Sequence, residues 1–213
     1  MIVEHAIDYI DYLMNYVDFT EKYFLLTIAC VVFNPTWWNI TARMEYKTKF
    51  MTKICGSKEN GCYLLAFLIF SLGILRDWLF SEALIRQPIF QEFDRFEVEV
   101  LSYILYGFGG ILVLAAYLKL GITGTYLGDY FGILMKERVT GFPFNVMNNP
   151  MYNGSVMLFI AHALSYKSVA GLVLSFVVYV VYKFALIFEE SFTNYIYSTA
   201  AANAAKKNKS KSK

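Results

Sequence analysis

Four apolar stretches, at about 23–40, 62–80, 101–120 and 169–188, each approach the ~20 residues that a helix needs to cross a hydrocarbon core. Lipid offers backbone groups no hydrogen-bond partner, so such runs have to satisfy their own N–H and C=O groups as helices. An all-α fold, a polytopic integral membrane helical bundle, is therefore expected. Composition agrees, because 57% hydrophobic and 17% charged residues over 213 positions are too apolar for an ordinary soluble domain. The 17 Tyr and 19 Phe suit both headgroup regions and the lining of a site. A net charge of +2, much of it in Lys206 to Lys213, argues against a nucleic-acid partner.

The segments differ in their interruptions. The first contains Asn34, Pro35 and Asn39 beside Trp37 and Trp38, polar and ring-bearing residues that suit an interface, and this suggests a segment that dips in and returns. The second carries adjacent Arg76 and Asp77, which sit at headgroup level or neutralise each other. A fifth apolar stretch, about 150–165, is shorter. No repeat or Pro/Gly/Ser linker divides the chain, so residues 1–213 read as one domain with a disordered basic tail at about 201–213. The acidic start, MIVEHAIDYIDYLMNYVDF, lacks the basic flank and cleavage site of a signal peptide, so insertion is expected to rely on the internal segments.

Lysine and arginine set the topology, because short loops rich in them stay cytosolic. Arg43, Lys47, Lys49, Lys53 and Lys58 form one cluster and the tail KKNKSKSK another. Placing both on one side needs an even number of crossings between residues 60 and 190. The stretches 62–80, 101–120 and 169–188 supply only three. A helical hairpin of 150–165 with 169–188, turning at Tyr166, Lys167 and Ser168, makes the number even.

Chemistry-bearing residues concentrate late in the chain. Gly121 to Gly154 is polar and contains six glycines and Asp129, and it reads as a packed loop in which backbone approaches a ligand. Asp129 lies among Tyr126, Tyr130 and Phe131, a setting that favours a carboxylate acting as a base, or else an ordinary interfacial acid. Glu189 and Glu190 end the last apolar run and point ~100° apart on a helix, so one faces a cleft while the other reaches a neighbour. Gly107-Phe108-Gly109 sits inside the third run, where small residues admit a second helix or a flat ligand. Cys30, Cys55 and Cys62, like His5 and His162, form no metal-like cluster, so no metal is expected.

The stretches NPTWWNITARMEYKTK at 34–49, GITGTYLGDYFGIL at 121–134, RVTGFPFNVMNNPMYNG at 138–154 and EESFTNYIY at 189–197 resemble the short eukaryotic phospholipid N-methyltransferases. The resemblance implies S-adenosylmethionine as methyl donor and a bilayer phospholipid as substrate. That substrate is mono- or dimethylphosphatidylethanolamine, or phosphatidylethanolamine itself, and the product is phosphatidylcholine. It implies cofactor contacts at Gly107, Phe108, Gly109, Glu189 and Glu190, and a simpler picture with three crossings. Asp129 or one of the two glutamates is then the candidate proton acceptor, and Tyr126, Tyr130, Phe131 or Tyr152 could face the methylammonium. Related isoprenylcysteine carboxyl methyltransferases share a Pro-x-Tyr-x-Gly and Glu-Glu arrangement, here Pro150, Tyr152, Gly154, Glu189 and Glu190. They form one alternative, against which GTYLGDYFGI argues. A non-catalytic scaffold or transporter is the other.

The last residues, Lys209-Ser-Lys211-Ser-Lys213, match a K-x-K-x-x dilysine address and imply an endoplasmic reticulum membrane protein, with a mitochondrial membrane as the alternative. A tail that merely attracts anionic lipid is the competing reading.

Overall fold

The computed structural model describes residues 2–137 and 139–211. Arg138 of the third family-like stretch, and Ser212 and Lys213 of the dilysine address, lie outside the described residues. Seven α-helices follow one another: α1 (Ile2–Met14), α2 (Lys22–Thr48), α3 (Phe50–Cys55), α4 (Lys58–Arg86), α5 (Phe96–Thr125), α6 (Pro150–Ser165) and α7 (Val169–Lys211). By length and hydropathy α2, α4, α5 and α7 can each cross a membrane, and they contain the four apolar stretches. The protein is a multi-pass all-α membrane bundle. Side chains start the helices: Glu21 accepts from the Phe24 N–H at 2.7 Å, and Ser57 accepts from the Asn60 N–H at 3.1 Å.

The first apolar segment does not dip and return. It is one helix that runs through Pro35 from Lys22 to Thr48. The residues that suggested an interface lie on its buried face, where Val31, Asn34, Trp38, Ala42 and Glu45 recur at three- and four-residue spacing. The side-chain nitrogens of Asn34, Trp38 and Asn39 find partners inside the bundle. Asn34 Nδ2 donates to the Leu72 carbonyl of α4 at 3.1 Å, and Asn39 Nδ2 donates to the Pro35 carbonyl at 3.0 Å. A proline in a membrane helix is tolerated when it lies inside a bundle, and Pro35 is buried between these contacts.

The hairpin forms. Helices α6 and α7 are joined at Tyr166, Lys167 and Ser168. Lys167 ties that turn to the loop between α4 and α5, with its carbonyl accepting from the Phe90 N–H at 2.8 Å and its ammonium 2.7 Å from Asp94. Lys49 Nζ reaches the Tyr130 carbonyl at 3.1 Å at the other end, beside the C-terminal half of α7. Thus α4, α5, α6 and α7 each run between the two ends, and the first basic cluster and the described lysines at the end of α7 share one, the basic end. With 16 residues, α6 spans only about 24 Å. The stretch expected as a disordered tail continues α7 as helix as far as Lys211. Its alanines, Ala200 to Ala202 with Ala204 and Ala205, are the strongest helix formers and carry the helix into the lysines.

Polar residues within the bundle tie helices together. Arg76 meets Asp77 at 2.8 Å and also bonds the Tyr182 hydroxyl of α7, so the adjacent charges neutralise each other. His162 of α6 joins Ser81 of α4 at 2.9 Å and Tyr106 of α5 at 2.8 Å. At the basic end Glu45 is fully buried, and its carboxylate accepts from the Met51 N–H at 2.7 Å and the Thr52 hydroxyl at 2.5 Å, capping α3. Glu45→Ala would leave two donors bare and is expected to lower stability by about 3 kcal/mol. Thermal melting in detergent checks this, with Glu45→Gln recovering part of the loss.

Candidate functional site

The segment after α5 builds the floor of a site at the basic end. Leu127 adopts a left-handed conformation (φ 59°) and leads into a 3₁₀ turn, Gly128–Phe131. This turn drives Tyr130 and Phe131 into a small core with Ala42, Met51, Cys62 and Leu65. Within the glycine-rich stretch Gly128, Tyr130 and Phe131 are therefore packed, whereas Gly121 to Thr125 belong to α5. Asp129 is half-buried and accepts from the Thr193 hydroxyl of α7 at 2.8 Å. Thr193 follows Glu189 by one helical turn, which puts Asp129 about 6 Å further toward the basic end.

Asn149, at φ 56°, takes the left-handed region that Asn tolerates, and Pro150 then begins α6 with its fixed φ and no N–H to satisfy. That start aims the next residues in opposite directions. Tyr152 points to α7, its ring edge-on to Tyr182 with centroids 4.9 Å apart. Gly154, two residues or ~200° further round, points to α5.

Glu189 and Glu190 diverge as their helical spacing requires. Glu189 Oε1 accepts from Trp38 Nε1 at 2.6 Å and Asn39 Nδ2 at 3.2 Å, and Oε2 accepts from the Tyr152 hydroxyl at 2.7 Å. One carboxylate thus joins α2, α6 and α7. Glu190 is exposed and accepts only from Asn149 Nδ2 at 2.8 Å. Among the described residues four buried side-chain polar atoms lack a hydrogen-bond partner. Three of them, Asn39 Oδ1, Tyr130 Oη and Arg43 Nε, belong to side chains packed on Phe188 to Phe192 of α7, and the fourth is Thr125 Oγ1. Leaving such groups bare costs about 1–3 kcal/mol each. The concentration of three on the stretch that holds Glu189 marks a place that a bound molecule completes. Tyr130 is fully buried and stacks on Phe192 at 5.1 Å, and the Arg43 guanidinium lies 4.8 Å over the same ring.

Gly107, Phe108 and Gly109 stand apart from this cluster. A Cβ on Gly109 would meet the Gly154 carbonyl at 2.7 Å, and one on Gly154 would meet the Gly109 carbonyl at 2.8 Å, so α5 and α6 touch backbone to backbone there. The contact lies on the face of α6 opposite Tyr152. A Cβ on Gly107 would meet nothing within 4 Å, and Phe108 is 64% exposed on the outside of α5. Of the residues singled out in the sequence, the fold brings Asp129, Glu189, Glu190, Tyr130 and Tyr152 together. Trp38, Asn39 and Arg43 were read only as interface and topology markers, and they join the site. Their signal was the run Asn34-Pro-Thr-Trp-Trp-Asn39, whose polar groups recur at helical spacing. Among the described residues, no three His, Cys, Asp or Glu side chains converge as metal ligands would.

Comparison with known proteins identifies relatives along nearly the whole chain. A family model described as phospholipid methyltransferase matches residues 98–200, which include α5, the 3₁₀ turn, α6 and both glutamates. The chain is 53% identical over 205 residues to a phosphatidyl-N-methylethanolamine N-methyltransferase of Saccharomyces cerevisiae, covering 96% of this chain and 98% of that one. It is 43% identical to a phosphatidylethanolamine N-methyltransferase of Rattus norvegicus and 40% identical to one of Homo sapiens, with 92% of this chain and 98% of each relative aligned. No solved structure matches. Relatives this similar along almost their whole length settle the matter: the chain belongs to the phospholipid methyltransferase family.

Proposed function

We propose that this enzyme methylates the headgroup amine of phosphatidylethanolamine derivatives, with S-adenosylmethionine as donor, toward phosphatidylcholine. The observation that carries the reading is the Glu189 carboxylate, held by Trp38, Asn39 and Tyr152 where the apolar bundle meets the basic end. A half-buried carboxylate flanked by Trp38 and Tyr152 suits a cationic partner, and both the donor and the lipid amine are cations. The residues fit the donor: Glu189 and Glu190 offer acceptor oxygens for its hydroxyl and ammonium groups, and the unpartnered Tyr130 hydroxyl offers a donor or acceptor to either ligand. When bound, S-adenosylmethionine supplies a methyl already activated on sulfur.

What remains for the protein is alignment and a proton. The amine has to be neutral to attack, and we assign Asp129 as the acceptor of its proton. Asp129 lies one helical turn beyond Glu189 and is engaged on one oxygen by Thr193. Tyr152, half-buried beside Glu189, offers its ring to the growing methylammonium. Gly109 enters this reading indirectly, because the close approach of α5 to α6 fixes the helix that carries Tyr152.

Purified protein supplied with labelled S-adenosylmethionine, and separately with phosphatidylethanolamine and its mono- and dimethyl derivatives, tests the function. Transfer to at least one of these lipids is expected, and transfer to none overturns the proposal. Asp129→Asn is expected to lower turnover ~100-fold at neutral pH with less effect at high pH, where more of the amine is already neutral. A pH profile of turnover checks it, and a loss that does not shrink with rising pH removes Asp129 from the proton's path. We assign the endoplasmic reticulum membrane on the lysine pattern of the sequence alone. Replacing Lys209 and Lys211 by serine, with two lysines added near Asn203, should release a tagged protein from it.

A further inference from the structure

Between α2 and α7 a groove of about 430 Å³ opens sideways to the membrane, walled by Val32, Pro35, Ile40, Val181 and Phe184, with Asn39 and Arg43 at its polar end. Arg43 is unusual for a cation at this depth. Its Nη2 donates to the Phe188 carbonyl at 2.8 Å and its plane lies over the Phe188 and Phe192 rings, yet among the described residues it forms no ion pair. Its Nε is buried without a partner. A guanidinium held by rings and a carbonyl is positioned with Nε left unbonded, and its planar fork suits the paired oxygens of a phosphodiester.

The spacing along α2 extends the argument. Asn39 and Arg43 are one helical turn apart, about 6 Å along the axis. In an ethanolamine phospholipid an ester oxygen and two methylenes separate phosphorus from nitrogen, a span of the same order. A phosphate on Arg43 therefore lets the headgroup reach Asn39 Oδ1, which has no donor facing it, and leaves the Glu189 carboxylate, bonded to Asn39 Nδ2, to the methyl donor. The apolar walls are left to an acyl chain.

We propose that the α2–α7 groove is the phospholipid-binding site, with Arg43 holding the phosphodiester and Ile40 and Phe184 flanking an acyl chain. This rests on the methyltransferase reading above and names the part of the site that takes the lipid rather than the donor. The donor also carries a carboxylate that Arg43 could bind, and the two ligands give different outcomes.

The test uses full-length protein in mixed micelles. The mole fraction of monomethylphosphatidylethanolamine is varied at saturating donor, and S-adenosylmethionine affinity is measured separately by calorimetry. Losing a charge-assisted phosphate contact should raise the apparent KM for lipid in Arg43→Gln about 10- to 100-fold. Donor affinity should stay unchanged, and Arg43→Lys should recover part of the loss. Ile40 is exposed on the groove wall, so Ile40→Trp narrows the groove without entering the core. It should raise lipid KM several-fold at unchanged melting temperature, and it carries the test if Arg43→Gln does not fold. An unchanged lipid KM in folded Arg43→Gln or in Ile40→Trp overturns the proposal, as does a fall in donor affinity in Arg43→Gln. Failure of the wild-type protein to methylate any of the three lipids would instead overturn the functional reading.

Discussion

Glu189→Gln is expected to lower methyl transfer by roughly 100-fold or more while the protein stays inserted and folded. The amide has the size of the carboxylate, and its oxygen can still accept from Trp38 Nε1 and Asn39 Nδ2. Its NH2 can donate to the Tyr152 hydroxyl, which accepts as readily as it donates. The substitution therefore removes charge and leaves the links among α2, α6 and α7 in place. Glu190→Gln should cost much less, because that side chain is exposed and has one partner, Asn149. Turnover and donor affinity, measured beside detergent melting, check both variants. Equal losses in the two would mean that the three-helix environment of Glu189 is not what gives it its role.

Gly109→Leu and Gly154→Leu should each lose the folded bundle, and the alanine variants should lower stability by about 1–3 kcal/mol. At either position even a Cβ falls within 2.8 Å of a carbonyl oxygen on the facing backbone, so two helices have to move apart. Gly107→Ala meets nothing and should melt like the wild type. The pair separates two roles for the Gly-x-Gly turn. If it holds the donor directly, Gly107→Ala should weaken donor binding at unchanged melting temperature. If it sets the α5–α6 approach, only Gly109 should matter, and melting and turnover should fall together. The packing contact favours the second outcome.

The spans were legible because hydrocarbon imposes length and composition on any segment that crosses it. The hairpin at Tyr166 to Ser168 followed from lysine placement, since moving lysines across a bilayer is costly and the crossings between the basic clusters had to be even. Asn34, Pro35 and Asn39 misled, because a polar residue in an apolar run has two comfortable places, the interface and the inside of a bundle. Only the Leu72 carbonyl and the Glu189 carboxylate, supplied by other helices, decide between them.

The sequence by itself determined that this chain is a helical membrane protein, where its apolar segments lie, and, through its motif stretches, its family. It also determined that Glu189 and Glu190 diverge, because neighbouring helical positions always do. Tertiary structure alone decided which of the two enters the site, since Trp38 stands 151 residues from Glu189 along the chain and reaches it only when α2 packs on α7. It likewise decided that Gly109 faces α6 and Phe108 faces outward, and that Arg43 stands at the polar end of a groove. Helical periodicity states which side chains share a face, but the partner of that face is set by packing between segments far apart in sequence.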